Sequence, residues 1–312
     1  MDENAKTGAK KGLNELTAPI IHKVFTEQIQ APETRKGIFI ELENALKRPV
    51  VSYFTSFVYP VMIEDKDAEM LESILQTMDL SDGLALFISS PGGLGVAAER
   101  IINICRSYSG TGEYWAIVPG KAKSAATMIC FGASKIFMGA SSELGPVDPQ
   151  YIVSDEKGNR KSYSVHNIVR SYEDLFKKAV EEKGNLHPYL QQLANYHPWD
   201  IEEFKALCAL SNNIAVKALQ SGMMKGMDED AIKEKIALFL TPEKVKVHER
   251  PIYSAEAAGC GLTIETLDVK DENKIWKLIY ELYIRTENYV STRAMKCIES
   301  KDHAFAVTRS GG

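Results

Sequence analysis

Two strand–turn–helix units with glycine-rich turns constrain the fold of this chain more than any other feature. An apolar run at 84–88 leads into the turn SSPGG at 89–93, and a second run at 114–119 leads into GKAKSAAT at 120–127. In a parallel sheet, consecutive turns of this kind meet at the carboxyl edge of the strands. We therefore expect the first turn to offer backbone N–H groups and the second to offer the Ser124 hydroxyl. These are the oxyanion hole and the nucleophile of an acyl-transfer site.

Strand and helix patterns alternate around these turns, which predicts an α/β fold with a parallel sheet and right-handed crossovers. The predicted strands are 50–54, 84–89, 114–118 and 135–138, and the predicted helices between them are 65–78, 95–108 and 124–132. After Pro149 the pattern changes to a hairpin or flap, with strands at 151–153 and 162–165. Helical patterns follow at about 167–183, 200–222 and 229–240, then a short helix from 254, a strand near 262–267 and a long amphipathic helix at 272–300.

Three regions are expected from the change of character along the chain. Residues 1–36 are polar and predict a flexible N-terminal tail, residues 37–270 the main domain, and residues 271–312 a C-terminal amphipathic helix and tail.

The net charge of −5 gives no support for nucleic-acid binding. The apolar run at 125–140 is interrupted and too short to span a bilayer. The five cysteines show no CxxC pair, and the N terminus has no apolar leader, so we expect a cytoplasmic protein.

Each of the two turns also has other interpretations. Residues 93–98 fit G-x-G-x-x-A, the dinucleotide-binding fingerprint, but the next strand ends at 118–121 without the carboxylate that would hold a ribose. The first turn can also be purely structural. Ser124 alone is typical of a helix N-cap. No group of His, Cys, Asp or Glu has metal-ligand spacing, so neither a metal nor another cofactor is expected.

Residues 84–98 and 117–150 (with SPGG, AKSAAT and ELGPVDPQ) resemble the Clp-protease/crotonase superfamily. Within it they closely resemble the serine dehydrogenase proteinase family, which is related to the Clp protease and to signal peptide peptidase A. A weaker similarity at 249–259 matches the element that closes Clp-type domains. The resemblance implies a spiral of β-β-α units with a parallel sheet, a helical C-terminal extension and helices that mediate oligomers. It also implies serine-dependent peptide hydrolysis.

The resemblance places Ser124 at the nucleophile position. We expect the backbone N–H groups of Gly92, Gly93 and Ala125 to form the oxyanion hole. The general base is open, because no histidine lies near 146–148, where the Clp-type histidine is expected. Signal peptide peptidases use a Ser-Lys dyad, so Lys161 is our preferred base. The other candidates are Lys157, Lys177, Lys178 and His248, the last of which lies beside Glu249 at the Clp-type acid position.

The sequence therefore predicts a serine peptidase that acts on peptide or protein substrates as a homo-oligomer, with an unfoldase or adaptor as a further partner class. Two alternatives remain at this point. A crotonase-like acyl-CoA enzyme would share the oxyanion hole without needing Ser124. A non-catalytic oligomeric scaffold would explain the absence of an evident base. Asp148 is expected to hold a turn, since Asp-Pro favours turns.

Overall fold

The computed structural model describes residues 19–27, 31–154, 160–241, 250–267 and 275–308. Its helices are α1 Ile20–Thr26, α2 Glu33–Leu46, α3 Asp65–Leu75, α4 Gly95–Tyr108, α5 Ala125–Phe131, α6 Val165–Glu181, α7 His187–Leu193, α8 Pro198–Ser221, α9 Glu229–Lys235, α10 Ala237–Leu240, α11 Ser254–Gly259 and α12 Ile275–Thr292. Its strands are β1 Val50–Thr55, β2 Leu84–Ser89, β3 Tyr114–Val118, β4 Lys121–Ala122, β5 Lys135–Met138, β6 Glu143–Leu144, β7 Gln150–Ser154, β8 Arg160–Ser164, β9 Ile264–Thr266, β10 Ala294–Glu299 and β11 Ala304–Thr308.

A seven-stranded sheet in the order β11-β10-β1-β2-β3-β5-β9 forms the centre of the described chain. Strands β1, β2, β3, β5 and β9 are parallel, and β10 and β11 add antiparallel pairs at one edge. The predicted α/β fold is confirmed, with a mostly parallel central sheet. Two short pairs, β4 with β6 and β7 with β8, lie outside this sheet.

Helices cover both faces of the sheet, which is why its central strands are almost continuously apolar. Val51 and Tyr53 of β1 pack in the core cluster that contains residues of α3 and α4. Val50 and Phe54, which point to the other face, pack in a second cluster with residues of α2 and α12. Every residue of β1 and β2 is buried, and β3 is buried except at the half-buried Trp115. Strands β2 and β3, which lead into the two turns, therefore have fixed positions in the sheet.

The C-terminal helix is shorter than predicted, and the prediction was wrong for residues 294–299. Helix α12 ends at Thr292, and β10 then pairs antiparallel with β1, where Lys296 lies opposite Thr55. The Lys296 side chain is 3 % exposed, and its ammonium lies 2.5 Å from a Glu64 carboxylate oxygen and 3.0 Å from an Asp67 carboxylate oxygen. Sheet pairing and this buried ion pair override the local helical pattern, because tertiary contacts outweigh intrinsic propensity.

Strands β7 and β8 with helices α6 and α7 form a projecting part of the described structure, which we call the arm. Val165 is the one buried residue of α6, and α7 has none. The predicted hairpin is present, with Val153 opposite Lys161. The far half of α8 joins the arm to the main core through buried residues that include Ile214 and Leu219.

Glycine at position 139 provides the space into which α12 packs. A Cβ built on Gly139 would collide with the indole of Trp276. Gly139→Ala is therefore expected to lower the free energy of unfolding by about 1–3 kcal/mol, the usual cost of overpacking. Gly37 provides the contrast, since it lies inside α2 with nothing within 4 Å of the added Cβ. Gly37→Ala should raise the free energy of unfolding by about 0.5–1 kcal/mol. Urea unfolding measures both changes, and equal values for the two variants would contradict the predicted packing role of Gly139.

Candidate active site

The two glycine-rich turns predicted from the sequence lie side by side at the carboxyl edge of the sheet. Ser90 forms a parallel bridge with Ala122. The Ser90 N–H donates to the Lys121 carbonyl at 2.9 Å, and the Lys123 N–H donates to the Ser90 carbonyl at 3.0 Å. These backbone hydrogen bonds fix the first turn against the segment that leads directly into Ser124.

Gly92 lies in direct contact with this segment. It has a φ of +109°, a region that residues with a side chain rarely adopt. A Cβ at this position would lie 2.7 Å from Ser124 Cβ and 2.7 Å from the Lys123 carbonyl oxygen. Both the backbone conformation and the close approach therefore require glycine.

Ser124 has a strained backbone. Its φ of 51° and ψ of −120° are unusual for a residue with a Cβ, and such conformations cost about 1–3 kcal/mol. Lys47 is the other non-glycine residue with positive φ in the described chain, and it has an ordinary reason as the left-handed C-cap of α2. Ser124 occupies the N-cap position of α5, but its hydroxyl makes no capping hydrogen bond. The simpler interpretation of Ser124 as a capping side chain therefore does not account for it.

The backbone N–H groups around Ser124 differ in how they are used. The Gly92 N–H donates to Ser90 Oγ at 3.1 Å, and the Gly92 carbonyl accepts from the Ile63 N–H at 2.9 Å. Because the peptide unit is trans, the Gly93 N–H points away from the carbonyl that Ile63 holds. Within the described ranges, neither the Gly93 N–H nor the Ala125 N–H has a hydrogen-bond acceptor in the protein. Both groups are therefore free of protein acceptors among the described residues.

Side chains beyond Ser124 hold the second turn in place. The Lys123 ammonium lies 3.0 Å from a carboxylate oxygen of Glu143, and Lys123 is only 12 % exposed. Thr127 Oγ1 lies within hydrogen-bonding distance of the Ala122 carbonyl at 2.8 Å and accepts from the Gly145 N–H at 3.2 Å. Lys123 and Thr127 thus hold the turn in position. These contacts account for the burial of Lys123 without a role as a base for Ser124.

The candidate bases lie in different places. Lys161 is an exposed residue of β8, and its ammonium forms no hydrogen bond or ion pair with another described residue. Lys177 and Lys178 are exposed on α6, and Lys177 lies 4.0 Å from Glu181. Lys157 and His248 lie outside the described residues. Within the described chain, no hydrogen bond joins Ser124 to any of the candidates, so the identity of the base stays a prediction.

Asp148 is buried beside the start of the arm, as a turn-holding residue should be. One carboxylate oxygen accepts from Gln150 Nε2 at 2.7 Å, and the following Pro149 carbonyl accepts from the Val165 N–H at 2.9 Å. Burial, with a smaller contribution from Asp148, raises the pKa of the nearby Cys208 thiol to about 11. Cys208 is therefore a protonated, weakly reactive thiol at neutral pH.

Sequence reasoning missed one residue beneath the first turn. Thr55 ends β1, and its hydroxyl donates to Ser90 Oγ at 2.6 Å. A signal was present in the sequence, because Thr55 closes the strand that neighbours the one leading into Ser90. Polar residues that end adjacent parallel strands come together at the same edge.

The described residues contain neither a group that could bind a metal ion nor a helix that could span a membrane. None of the groups of His, Cys, Asp and Glu in that part of the chain has a geometry that could hold a metal ion. None of its helices is both long enough and apolar enough to cross a bilayer.

Comparison with known proteins identifies one family. Residues 39–183 match the model of the ClpP-like SDH-type serine proteinase family. An uncharacterized protein of Methanocaldococcus jannaschii is 29% identical over 278 residues, which cover 86% of both chains. A second uncharacterized protein of that organism is 31% identical over 127 residues, covering 39% of this chain and 42% of the relative.

Solved structures of a membrane-bound stomatin-specific protease, 1510-N, were also found. One variant is 13% identical, and the match covers 66% of this chain and 93% of that variant, with a TM-score of 0.28. Another variant, in complex with a substrate peptide, is 16% identical, and the match covers 72% of this chain and 94% of that variant, also with a TM-score of 0.28.

Proposed function

We propose that this chain, whose residues 39–183 match the ClpP-like SDH-type serine proteinase family, hydrolyses peptide bonds through an acyl-enzyme on Ser124. The observation that carries the proposal is the strained, uncapped Ser124 packed against Gly92. Strained backbone is retained where the surrounding structure enforces it, and it clusters at active sites. A structural N-cap would use the serine hydroxyl to bond the helix, and Ser124 does not.

In the proposed reaction, Ser124 Oγ attacks the scissile carbonyl carbon and loses its proton to a base. The carbonyl oxygen becomes an oxyanion that accepts from the N–H groups of the Gly92–Gly93 turn and of Ala125. The amine leaves with a proton from the conjugate acid of the base. Water then hydrolyses the acyl group on Ser124, and the base again takes the proton. We assign the oxyanion contacts chiefly to Gly93 and Ala125, because the Gly92 N–H donates to Ser90 Oγ.

Lys161 remains our proposed base, which would make the enzyme a Ser-Lys peptidase. A lysine acts as a base only when it is neutral, and loss of water around the ammonium lowers its pKa. Lys161 is exposed on the arm hairpin, so the proposal requires that side chain to approach Ser124 when substrate or a second subunit covers it.

We further propose that the enzyme works as a cytoplasmic homo-oligomer on peptide or protein substrates. The arm supports self-association, since Tyr151, Phe176, Val180 and Leu190 are exposed apolar side chains. The five free cysteines are in keeping with a reducing compartment.

The experiment that tests the proposed reaction traps the acyl-enzyme. The protein is mixed with a peptide p-nitrophenyl ester, quenched in acid during turnover, digested and analysed by mass spectrometry. Tandem mass spectrometry of the fragment that contains Ser124 should place the acyl mass on Ser124 itself. Ser134, whose hydroxyl bonds the Tyr114 carbonyl at 3.2 Å, should stay unmodified and serves as the internal control. An acyl group on another residue would overturn the assignment of the nucleophile.

A further inference from the structure

A buried pair of hydroxyl groups lies directly beneath the Gly92–Gly93 turn. Thr55 and Ser90 are both 0 % exposed, and Thr55 Oγ1 donates to Ser90 Oγ at 2.6 Å. They come from neighbouring parallel strands, since Thr55 ends β1 and Ser90 follows the last residue of β2. Burying hydroxyl groups is unfavourable unless they are hydrogen-bonded, and here the hydrogen bond between Thr55 and Ser90 offsets that cost.

The Ser90 hydroxyl oxygen has both of its acceptor positions in use. It accepts from Thr55 and, at 3.1 Å, from the Gly92 N–H. A hydroxyl oxygen has two lone pairs, so the Thr55 donor leaves one direction for the Gly92 N–H. The backbone of Ser90 at the same time holds the second turn through Lys121 and Lys123. Ser90 therefore contacts both halves of the candidate site, and Thr55 fixes the orientation of its hydroxyl.

The consequence reaches the Gly93 N–H through the backbone. The Gly92 N–H is held by Ser90 Oγ, and the Gly92 carbonyl is held by the Ile63 N–H at 2.9 Å. Hydrogen bonds to both sides of Gly92 fix the two peptide planes that meet at its Cα. The second plane contains the Gly93 N–H, whose direction is then set as well.

We infer that Thr55 is a positioning residue, which orients the Gly93 N–H toward the oxyanion through Ser90 and the Gly92 peptide. This inference rests on the proposed function, because it concerns the oxyanion hole of that reaction. Thr55 touches neither the substrate nor Ser124 in this arrangement. Its effect is on the transition state, where the oxyanion forms, and it should leave ground-state binding of the peptide unchanged.

The test uses three full-length variants. Thr55→Val keeps the β-branched shape and removes the donor, while Thr55→Ser keeps the donor and removes a methyl group. Ser52→Ala is the matched control, because Ser52 is a buried hydroxyl of the same strand and its Oγ has no partner in the described structure. Thr55→Val should lower kcat about tenfold with KM unchanged, a part of the hundredfold or more that loss of a whole donor costs. Thr55→Ser should restore most of kcat, and Ser52→Ala should match the wild type.

Amide hydrogen exchange gives a readout that does not depend on activity. We expect the Gly92 amide to exchange faster in Thr55→Val than in the wild type, while Ser52→Ala leaves its exchange unchanged. Unchanged kcat and unchanged Gly92 exchange in Thr55→Val would overturn the positioning role. An equal loss of kcat in Ser52→Ala would also overturn it, since the effect would then be general to the strand. Activity that persists in Ser124→Ala would refute the proposed function separately, whatever the Thr55 variants do.

Discussion

Replacing Ser124 with alanine is expected to lower kcat/KM for peptide hydrolysis by about a thousandfold or more. Loss of a catalytic nucleophile removes the covalent route and leaves only the contribution of substrate binding and the oxyanion hole. The measurement is steady-state hydrolysis of an unstructured peptide by the purified protein. The Ser134→Ala variant, handled in parallel, controls for a co-purifying protease and should have wild-type activity. Unchanged hydrolysis by Ser124→Ala would remove Ser124 from the mechanism.

The stability of the same position gives an independent check. Alanine at 124 retains the Cβ and therefore the strain of a φ of 51°. Glycine relieves that strain, and its own entropic cost offsets part of the gain. We therefore expect the free energy of unfolding of Ser124→Gly to be about 1 kcal/mol higher than that of Ser124→Ala. An inactive but more stable glycine variant would show that the native residue is kept there for a reason other than stability. Equal stability of the two variants would contradict the strain.

Gly92→Ala is expected to have the second-largest effect, because it damages the candidate site and the fold together. The new methyl group would lie 2.7 Å from Ser124 Cβ, at a φ of +109° that alanine rarely adopts. We expect kcat/KM to fall by about a hundredfold or more as the turn moves away from Ser124. The free energy of unfolding should fall by about 2–4 kcal/mol, the sum of overpacking and backbone strain.

Gly112 offers a matched control for the backbone contribution. It has a φ of +69° but nothing within 4 Å of an added Cβ. Gly112→Ala should therefore lose only about 1 kcal/mol of stability and keep full activity. Urea unfolding and peptide hydrolysis, measured on both variants, separate strain from collision. A Gly92→Ala variant no worse than Gly112→Ala would mean that Gly92 does not approach Ser124 as closely as the structure shows.

Much of the central fold could be predicted because its signals are local. The strands at 84–89, 114–118 and 135–138 have the predicted bounds, as each is an apolar run closed by a turn. The C-terminal strand β10 could not be predicted from local pattern. Its position depends on pairing with β1, which lies more than two hundred residues earlier in the sequence. Periodicity carries no information about such a distant partner.

The candidate site, like the fold, could be predicted only in part. Parallel topology brings the Gly92 turn and Ser124 together, so the sequence was enough to predict their proximity. Our proposed base, Lys161, is exposed on the arm, and no local pattern in the sequence predicts whether it reaches Ser124. Thr55 was missed because a threonine at the end of a strand is ordinary, and its signal emerges only once β1 is paired with the strand that leads into Ser90.

The order of synthesis matters for a chain whose central sheet depends on a late strand. Ser124 and both turns leave the ribosome well before β10, the strand that carries Lys296. Until β10 docks, β1 has an open edge and Asp67, which is fully buried in the finished fold, lacks its cation. Asp67 then keeps only the hydrogen bonds from the Tyr53 hydroxyl and the Glu64 N–H, so burial of its charge is less favourable and α3 is held less firmly. The central sheet, and with it the packing of α3 beside the candidate site, is therefore completed only after the C-terminal strands have been made.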